Sequence, residues 1–285
     1  MASGGGTPRR LLIINADDLG LAPSVNAGIE DAALAGVVTS ASMIVNMGGF
    51  DDAVRRAAAL RTGLDVGLHF NLTLGAPVSP AGTVPSLVDG AGRFLTLGRV
   101  IRRALAGRLR AGDVRREADA QLARLTGRGL RVSHADSHHH VHALPVVRGA
   151  LAAAALSAGV SWVRRPVEPL LARPTGLLPA LRRAALALAW MASGRPAGPA
   201  GIAAFRGLAL RGGARFQSSL LELLDRLPPG LTELMVHPGR VDASLARLDS
   251  YAGERAAELA ALLSDSVRER LGRGDLELVG FGARQ

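Results

Sequence analysis

Seven short apolar runs are spaced along this chain, at residues 11–15, 40–46, 66–70, 132–135, 160–163, 234–236 and 276–281. A strand with one wet face alternates apolar and polar residues, whereas a strand covered on both faces does not. These runs lack strict polar alternation and some are rich in β-branched residues, so they read as buried parallel strands. The longer amphipathic stretches between them read as helices, over 23–35, 51–60, 113–126, 144–158, 217–226 and 254–272. A Pro opens the first of these and an acidic pair the second, both suited to a helix start. Strand followed by helix, repeated, predicts a parallel α/β sheet. Seven strands fit an irregular TIM-like (β/α) barrel. An open doubly wound sheet is the alternative, and periodicity does not separate the two.

Two stretches interrupt the pattern. Residues 75–112 are rich in Gly, Pro and Arg and read as a loop with a short helix. Residues 166–213 hold Pro166, Pro169, Pro174, Pro179, Pro196 and Pro199 around one apolar helix at about 177–192. An insert of that length is either a lid or substrate-binding element, or a helix packed on the periphery. Residues 1–8 read as a disordered tail. The remaining 9–285, with 48% apolar residues in the whole chain, suffice for a large core, as a single domain over 9–285 or as two smaller ones.

Composition removes several function classes. The chain has no cysteine, so disulfides and thiolate metal sites are excluded, and any metal must sit on His and carboxylate ligands. The net charge of +10 is carried by arginines scattered along the chain, with no lysine, and only 3% of residues are aromatic. Little is available to stack on bases, so nucleic acid is not an expected partner. No apolar stretch reaches the roughly 18 residues that span a bilayer. No signal peptide is evident, and a cytoplasmic protein without stable membrane insertion is expected.

The seven histidines fall in three short segments, each overlapping or following a strand candidate. In parallel α/β folds the C-terminal ends of strands carry the active site. Asp17 and Asp18 close the first run, and like charges at a strand end need a cation or a shared proton. If the backbone leaves the extended form there, one carboxylate can bind metal while the other faces substrate. His69 lies on the third run. Residues 134–142 hold His134, His138, His139, His140 and His142, a density that packing does not explain. His237 ends the run before a Pro-Gly turn. Two imidazoles and a carboxylate make an open metal site, where bound water loses its proton more readily. A second carboxylate then takes that proton, and a further His protonates the leaving group. No GxSxG elbow, P-loop or strand-linked GxGxxG competes with this reading.

The segments LLIINADDLGL, GVVTSASMIVN, VGLHFNLTLGAPV, HADSHHHVH, LTELMVHPGRVD and LDSYAGERAAELAAL resemble the YdjC-like carbohydrate deacetylases. That family includes chitooligosaccharide deacetylases (ChbG) and hopanoid-associated HpnK proteins. The resemblance runs from about Arg10 to Phe281 and is weakest over 166–205. It implies a TIM-like barrel and hydrolysis of an N-acetyl group from an amino sugar or oligosaccharide. It further implies Asp18, His69 and His138 as ligands of one divalent ion, with Asp17 as general base and His237 as acid. His140 and His142 match family positions and take substrate-side roles, as does Arg164 at the end of the fifth run. Two His ligands favour zinc, whereas the family is associated with magnesium. Leu19 stands where many relatives carry an aromatic, so the pocket is expected to differ there.

The expected partner is therefore an N-acetylated sugar or glycan, with a homodimer as the expected assembly beyond the monomer. The apolar 177–192 helix and the Arg excess also suit a glycolipid or hopanoid-pathway substrate. A metal- or glycan-binding protein without turnover is the third reading.

Overall fold

The computed structural model describes residues 9–60, 63–169, 177–192, 204–210 and 212–282; the expected tail at 1–8 lies outside them. Among the described residues there are eight strands: β1 (Arg10–Leu19), β2 (Ser40–Met43), β3 (Asp65–Phe70), β4 (Val132–Ser137), β5 (Trp162–Val163), β6 (Ala204–Arg206), β7 (Gly230–Val236) and β8 (Leu276–Leu278). All pairings among them are parallel, in the order β5-β4-β3-β2-β1-β7-β6, with β8 also on β1. The seven strands of that path curl into an open, irregular TIM-like barrel. Among the described residues no pairing joins β5 to β6.

β8 and β2 divide one edge of β1 between them. β8 pairs with Arg10, Leu11 and Leu12, and β2 takes over from Asn15. Thr39 joins the two, its N–H donating to Ile14 O at 3.1 Å and its hydroxyl to Val279 O at 2.8 Å.

The helices are α1 (Pro23–Leu34), α2 (Phe50–Ala59), α3 (Leu97–Leu105), α4 (Ala111–Thr126), α5 (Pro145–Ser157), α6 (Leu177–Ala192), α7 (Phe216–Asp225), α8 (Ala243–Leu248), α9 (Ala252–Leu263) and α10 (Asp265–Leu271). The single helix expected over 254–272 is broken at Ser264. Its backbone is extended there (φ −67°, ψ 145°), and its side chain caps α10 through Val267 N–H. β6 lies within the stretch expected to be an insert. Three residues give too short an apolar run to be read as a strand.

Successive side chains of a strand point to opposite faces. Leu12, Ile14 and Ala16 of β1 join the main apolar core. Ile13 instead packs with Phe281 in a second, small cluster. Phe281 also stacks on the His134 ring at 4.0 Å, plugging the lower end of the barrel. Gly67 leaves room for that ring, since a Cβ there would lie 2.3 Å from His134 Cε1. Above this plug the barrel interior is polar, with Asn15, Asp17, Ser42, His69, Asp136 and Glu233 all buried. Among the described residues no helix is long and apolar enough to cross a membrane.

The exit of β1 depends on Gly20. Its φ of +91° is in the left-handed region, and a Cβ there would lie 2.3 Å from Ile44 O. Its N–H donates to Asn26 Oδ1 at 2.7 Å, and Asn26 reaches on to Gly49 O at the start of α2. Gly20→Ala is therefore expected to destabilise the fold by about 2 kcal/mol or more, because strain and clash add. Denaturant unfolding measures this, and an unchanged midpoint would show that the exit turn adapts freely.

Candidate active site

Asp17 and Asp18 both reach the cleft because the backbone turns between them, where a regular strand would point Asp18 to the opposite face. The β1–β2 register breaks between Ala16 and Leu19, and Asp18 has φ +71°. A non-glycine residue in this region costs roughly 1–3 kcal/mol and needs support from its surroundings. Asp18 Oδ1 receives that support from His138 Nδ1 at 2.8 Å and His69 Nε2 at 3.1 Å. Asp18 Oδ2 accepts from Arg255 NH2 at 2.5 Å. Burial by itself would raise the Asp18 pKa, but His138 and Arg255 outweigh it and hold the carboxyl well below the usual range.

Asp17 faces the barrel axis. Arg164 clamps it with two donors, NH1 to Oδ2 at 2.6 Å and NH2 to Oδ1 at 2.7 Å. Asn15 and Ser42 donate to Oδ1 at 2.9 and 3.2 Å. Against the opposing effect of burial, this clamp lowers the Asp17 pKa. Arg164 also meets Asp136 Oδ2 at 2.7 Å and Glu233 Oε1 at 2.6 Å. Burial pushes Glu233 up to about 7, with Arg164 offsetting only part of the rise.

His69 lies between two carboxylates. Its Nδ1 pairs with Asp136 Oδ1 at 2.6 Å, which turns Nε2 toward Asp18. Burial would keep this imidazole neutral, but Asp136 and Asp17 override it and raise the pKa to about 10. The cause is a surplus of negative charge. Buried Asp17, Asp18, Asp136 and Glu233 outnumber the buried guanidiniums of Arg164 and Arg255. A proton on His69 answers that surplus, and so would a cation.

Asp18, His69 and His138 each offer one ligand atom, all within 4.8 Å of one another. An imidazole whose far nitrogen is fixed by a carboxylate, as His69 is by Asp136, is a common metal-ligand arrangement. Asp17, His69 and Asp136 form a second such group. Its members are wholly buried, however, and both its carboxylates are paired with Arg164. The first group opens through His138 onto a cleft of about 860 Å³, which Asp17, His237 and Tyr251 also line.

The remaining histidines divide by environment. His237 is half-buried, with Nε2 3.9 Å from Asp17 Oδ2. Its backbone N–H donates to Glu258 Oε2 at 2.6 Å, and its ring meets Tyr251 edge-on at 5.6 Å. His139 and His140 both adopt left-handed backbone, φ +56° and +52°, which coils the chain over the barrel mouth after His138. His139 pairs with Thr73, while His140 lines the cleft near Phe205. His142 is buried and pairs with Ser137 Oγ at 2.5 Å and Arg164 O at 3.2 Å. Burial lowers the His142 pKa to about 3 and that of His134 to about 4. Arg164 and His142, both expected at the substrate, are buried away from the cleft and hold other groups.

Asp136, Glu233, Arg255, Tyr251 and Glu258 were not among the expected site residues. A charge at the edge of an apolar run was the available signal for Glu233, and Asp136 stands two residues before His138, which directly follows β4.

The chain matches the YdjC-like protein family over residues 11–273. It is 35% identical over 274 residues to a carbohydrate deacetylase of Geobacillus stearothermophilus, covering 95% of this chain and 97% of that one. It is 41% identical over 165 residues to a chitooligosaccharide deacetylase of Enterobacter sp. (strain 638), covering 56% and 61%. The crystal structure of an Enterococcus faecalis V583 protein, named for cellobiose-phosphate cleavage, has a TM-score of 0.78 at 26% identity and covers 96% and 98%.

Removing Arg164 strands three buried carboxylates. Arg164→Met is expected to cost about 3–5 kcal/mol in chemical denaturation at neutral pH. Arg164→Lys should recover little of this, because one ammonium lacks the planar fork that reaches all three partners. A loss below about 1 kcal/mol in Arg164→Met, the size of an ordinary substitution, would mean that the carboxylates are balanced by something else.

Proposed function

The chain belongs to the YdjC-like protein family, and on that premise we propose that it is a metal-dependent hydrolase that removes an N-acetyl group from an amino sugar or its oligosaccharide. The observation that carries this reading is the convergence of Asp18 Oδ1, His69 Nε2 and His138 Nδ1 at the cleft, with Asp17 and His237 beside them. Two imidazole nitrogens and one carboxylate oxygen suit a divalent ion, zinc better than magnesium. When bound, such an ion polarises an amide carbonyl and makes water a stronger acid.

The protein's own groups supply the rest. Asp17 accepts the proton of the attacking water as the new C–O bond forms. Arg164 keeps Asp17 ionised and fixes its direction, while Asp17 Oδ2 still faces His237 across 3.9 Å. His237 gives a proton to the sugar nitrogen as the C–N bond breaks, so acetate and a free amine leave. Tyr251 and Glu258 hold His237 at the cleft wall. His140 lines the cleft and is assigned to substrate contact. Arg164 and His142 act from beneath, on Asp17 and on the backbone at the end of β5.

Acetate release from N-acetylglucosamine oligomers tests the reading. Chelation should abolish release, and Asp17→Asn should lower kcat by about 10²–10⁴-fold, the usual worth of a general base. Turnover indifferent to both changes would sink it.

A second reading concerns what the sugar is attached to. Leu97, Ile101 and Leu105 repeat every fourth residue on α3 and line the cleft; Leu105 is 82% exposed. Ala185, Leu186 and Ala189 of α6 line it too, and Leu188 and Met191 on the same helix are exposed. An apolar mouth of this kind supports a glycolipid or hopanoid-linked substrate. Each CH₂ buried there would contribute about 0.8 kcal/mol. An octyl glycoside of N-acetylglucosamine should then show a KM at least about tenfold below that of the methyl glycoside, a gain of about 1.4 kcal/mol. Leu105→Glu should erase the difference. Equal KM values for the two glycosides would remove this reading.

A further inference from the structure

Arg255 lies on α9 and is only 2% exposed. Its NH2 donates to Asp18 Oδ2 at 2.5 Å and its Nε to Asp249 Oδ2 at 2.6 Å. Asp249 is fixed in turn, its Oδ1 accepting the N–H of Tyr251 at 2.8 Å. Arg255 NH1 is buried and, among the described residues, has no hydrogen-bond partner. A buried guanidinium with an unmet donor costs stability, and a well-packed apolar side chain would cost less. The position also works against cation binding. It sets a positive charge one carboxylate away from the atoms that would hold a metal.

We propose that Arg255 restricts Asp18 to one-oxygen ligation of the divalent ion and, by its charge, weakens the ion's affinity in exchange for an open site. Asp18 Oδ1 faces His69 and His138, and Oδ2 is closed by the arginine. The tie to Asp249 prevents the arginine from swinging away. A carboxylate that ligates through both oxygens uses two coordination positions. One that ligates through a single oxygen leaves room for water and for the acyl oxygen of the substrate. Arg255 is thus a positioning residue acting through Asp18, and its role rests on the metal reading above.

Calorimetric titration of Zn²⁺ into metal-stripped full-length protein tests this without relying on turnover. Arg255→Gln removes the charge and frees Oδ2, so Zn²⁺ should bind at least about tenfold more tightly, as expected when a nearby like charge is deleted from a low-dielectric site. Its kcat for deacetylation should fall in the same protein. A merely structural role predicts that both properties decline together. Arg255→Met also removes the charge and leaves no buried donor unmet, so Zn²⁺ should bind more tightly there too. That variant decides the matter if Arg255→Gln lacks a cooperative thermal transition. Unchanged or weaker binding in a folded Arg255→Gln or Arg255→Met would overturn the proposal. His69→Ala separates the two readings. If wild type does not bind Zn²⁺, or His69→Ala binds it equally well, the metal site itself is wrong; if only the shifts of the two Arg255 variants fail, the metal reading stands.

Discussion

One guanidinium at the barrel axis holds the upper half of this molecule together. Arg164 leaves β5 and meets Asp17 from β1, Asp136 from β4 and Glu233 from β7. Three carboxylates this close repel one another, and burial removes the water that would screen them. A planar guanidinium offers donors along several directions at once, which an ammonium does not. The Arg164–Glu233 pair also spans the opening where β5 and β6 do not pair. The charge that Arg164 leaves unbalanced falls on His69, whose imidazole Asp136 and Asp17 hold protonated against the effect of burial.

The strands separate core from chemistry by parity. On β1, Leu12, Ile14 and Ala16 face the helices, while Ile13, Asn15 and Asp17 face the axis. On β3, Val66, Leu68 and Phe70 join the core, and Gly67 and His69 face inward. His134 and Asp136 of β4, and Glu233 of β7 with His237 just beyond it, follow the same rule. A slip of one residue would exchange the two faces, so the packing of the helices fixes the register of the site.

Departures from regular backbone cluster where the chemistry is. Among the described non-glycine residues, positive φ occurs at Asp18, His139 and His140. The turn at Asp18 breaks the parity rule once, and so brings two adjacent carboxylates to the same cleft. The coil at His139 and His140 carries the chain over the mouth, with His138 on Asp18 and His142 beneath, against the exit of β5.

The sequence by itself determined a parallel α/β architecture, most of its strands and the gathering of histidines at strand ends; the barrel, rather than an open sheet, was implied by the family resemblance. Buried strands and clustered imidazoles both leave local signatures, in runs of apolar residues and in dense histidines. It did not yield β6, which is too short for a run, or the break at Ser264, where one capping hydroxyl divides a continuous helical pattern. Nor did it yield the arginine partners of the acids. Asp17 meets Arg164 at a separation of 147 residues and Asp18 meets Arg255 at 237. An arginine among many scattered arginines carries no mark of which one is buried. Which charges are desolvated together, and hence which carboxylate is clamped and which is left facing the histidines, was decided only when the barrel brought distant strand ends to one axis.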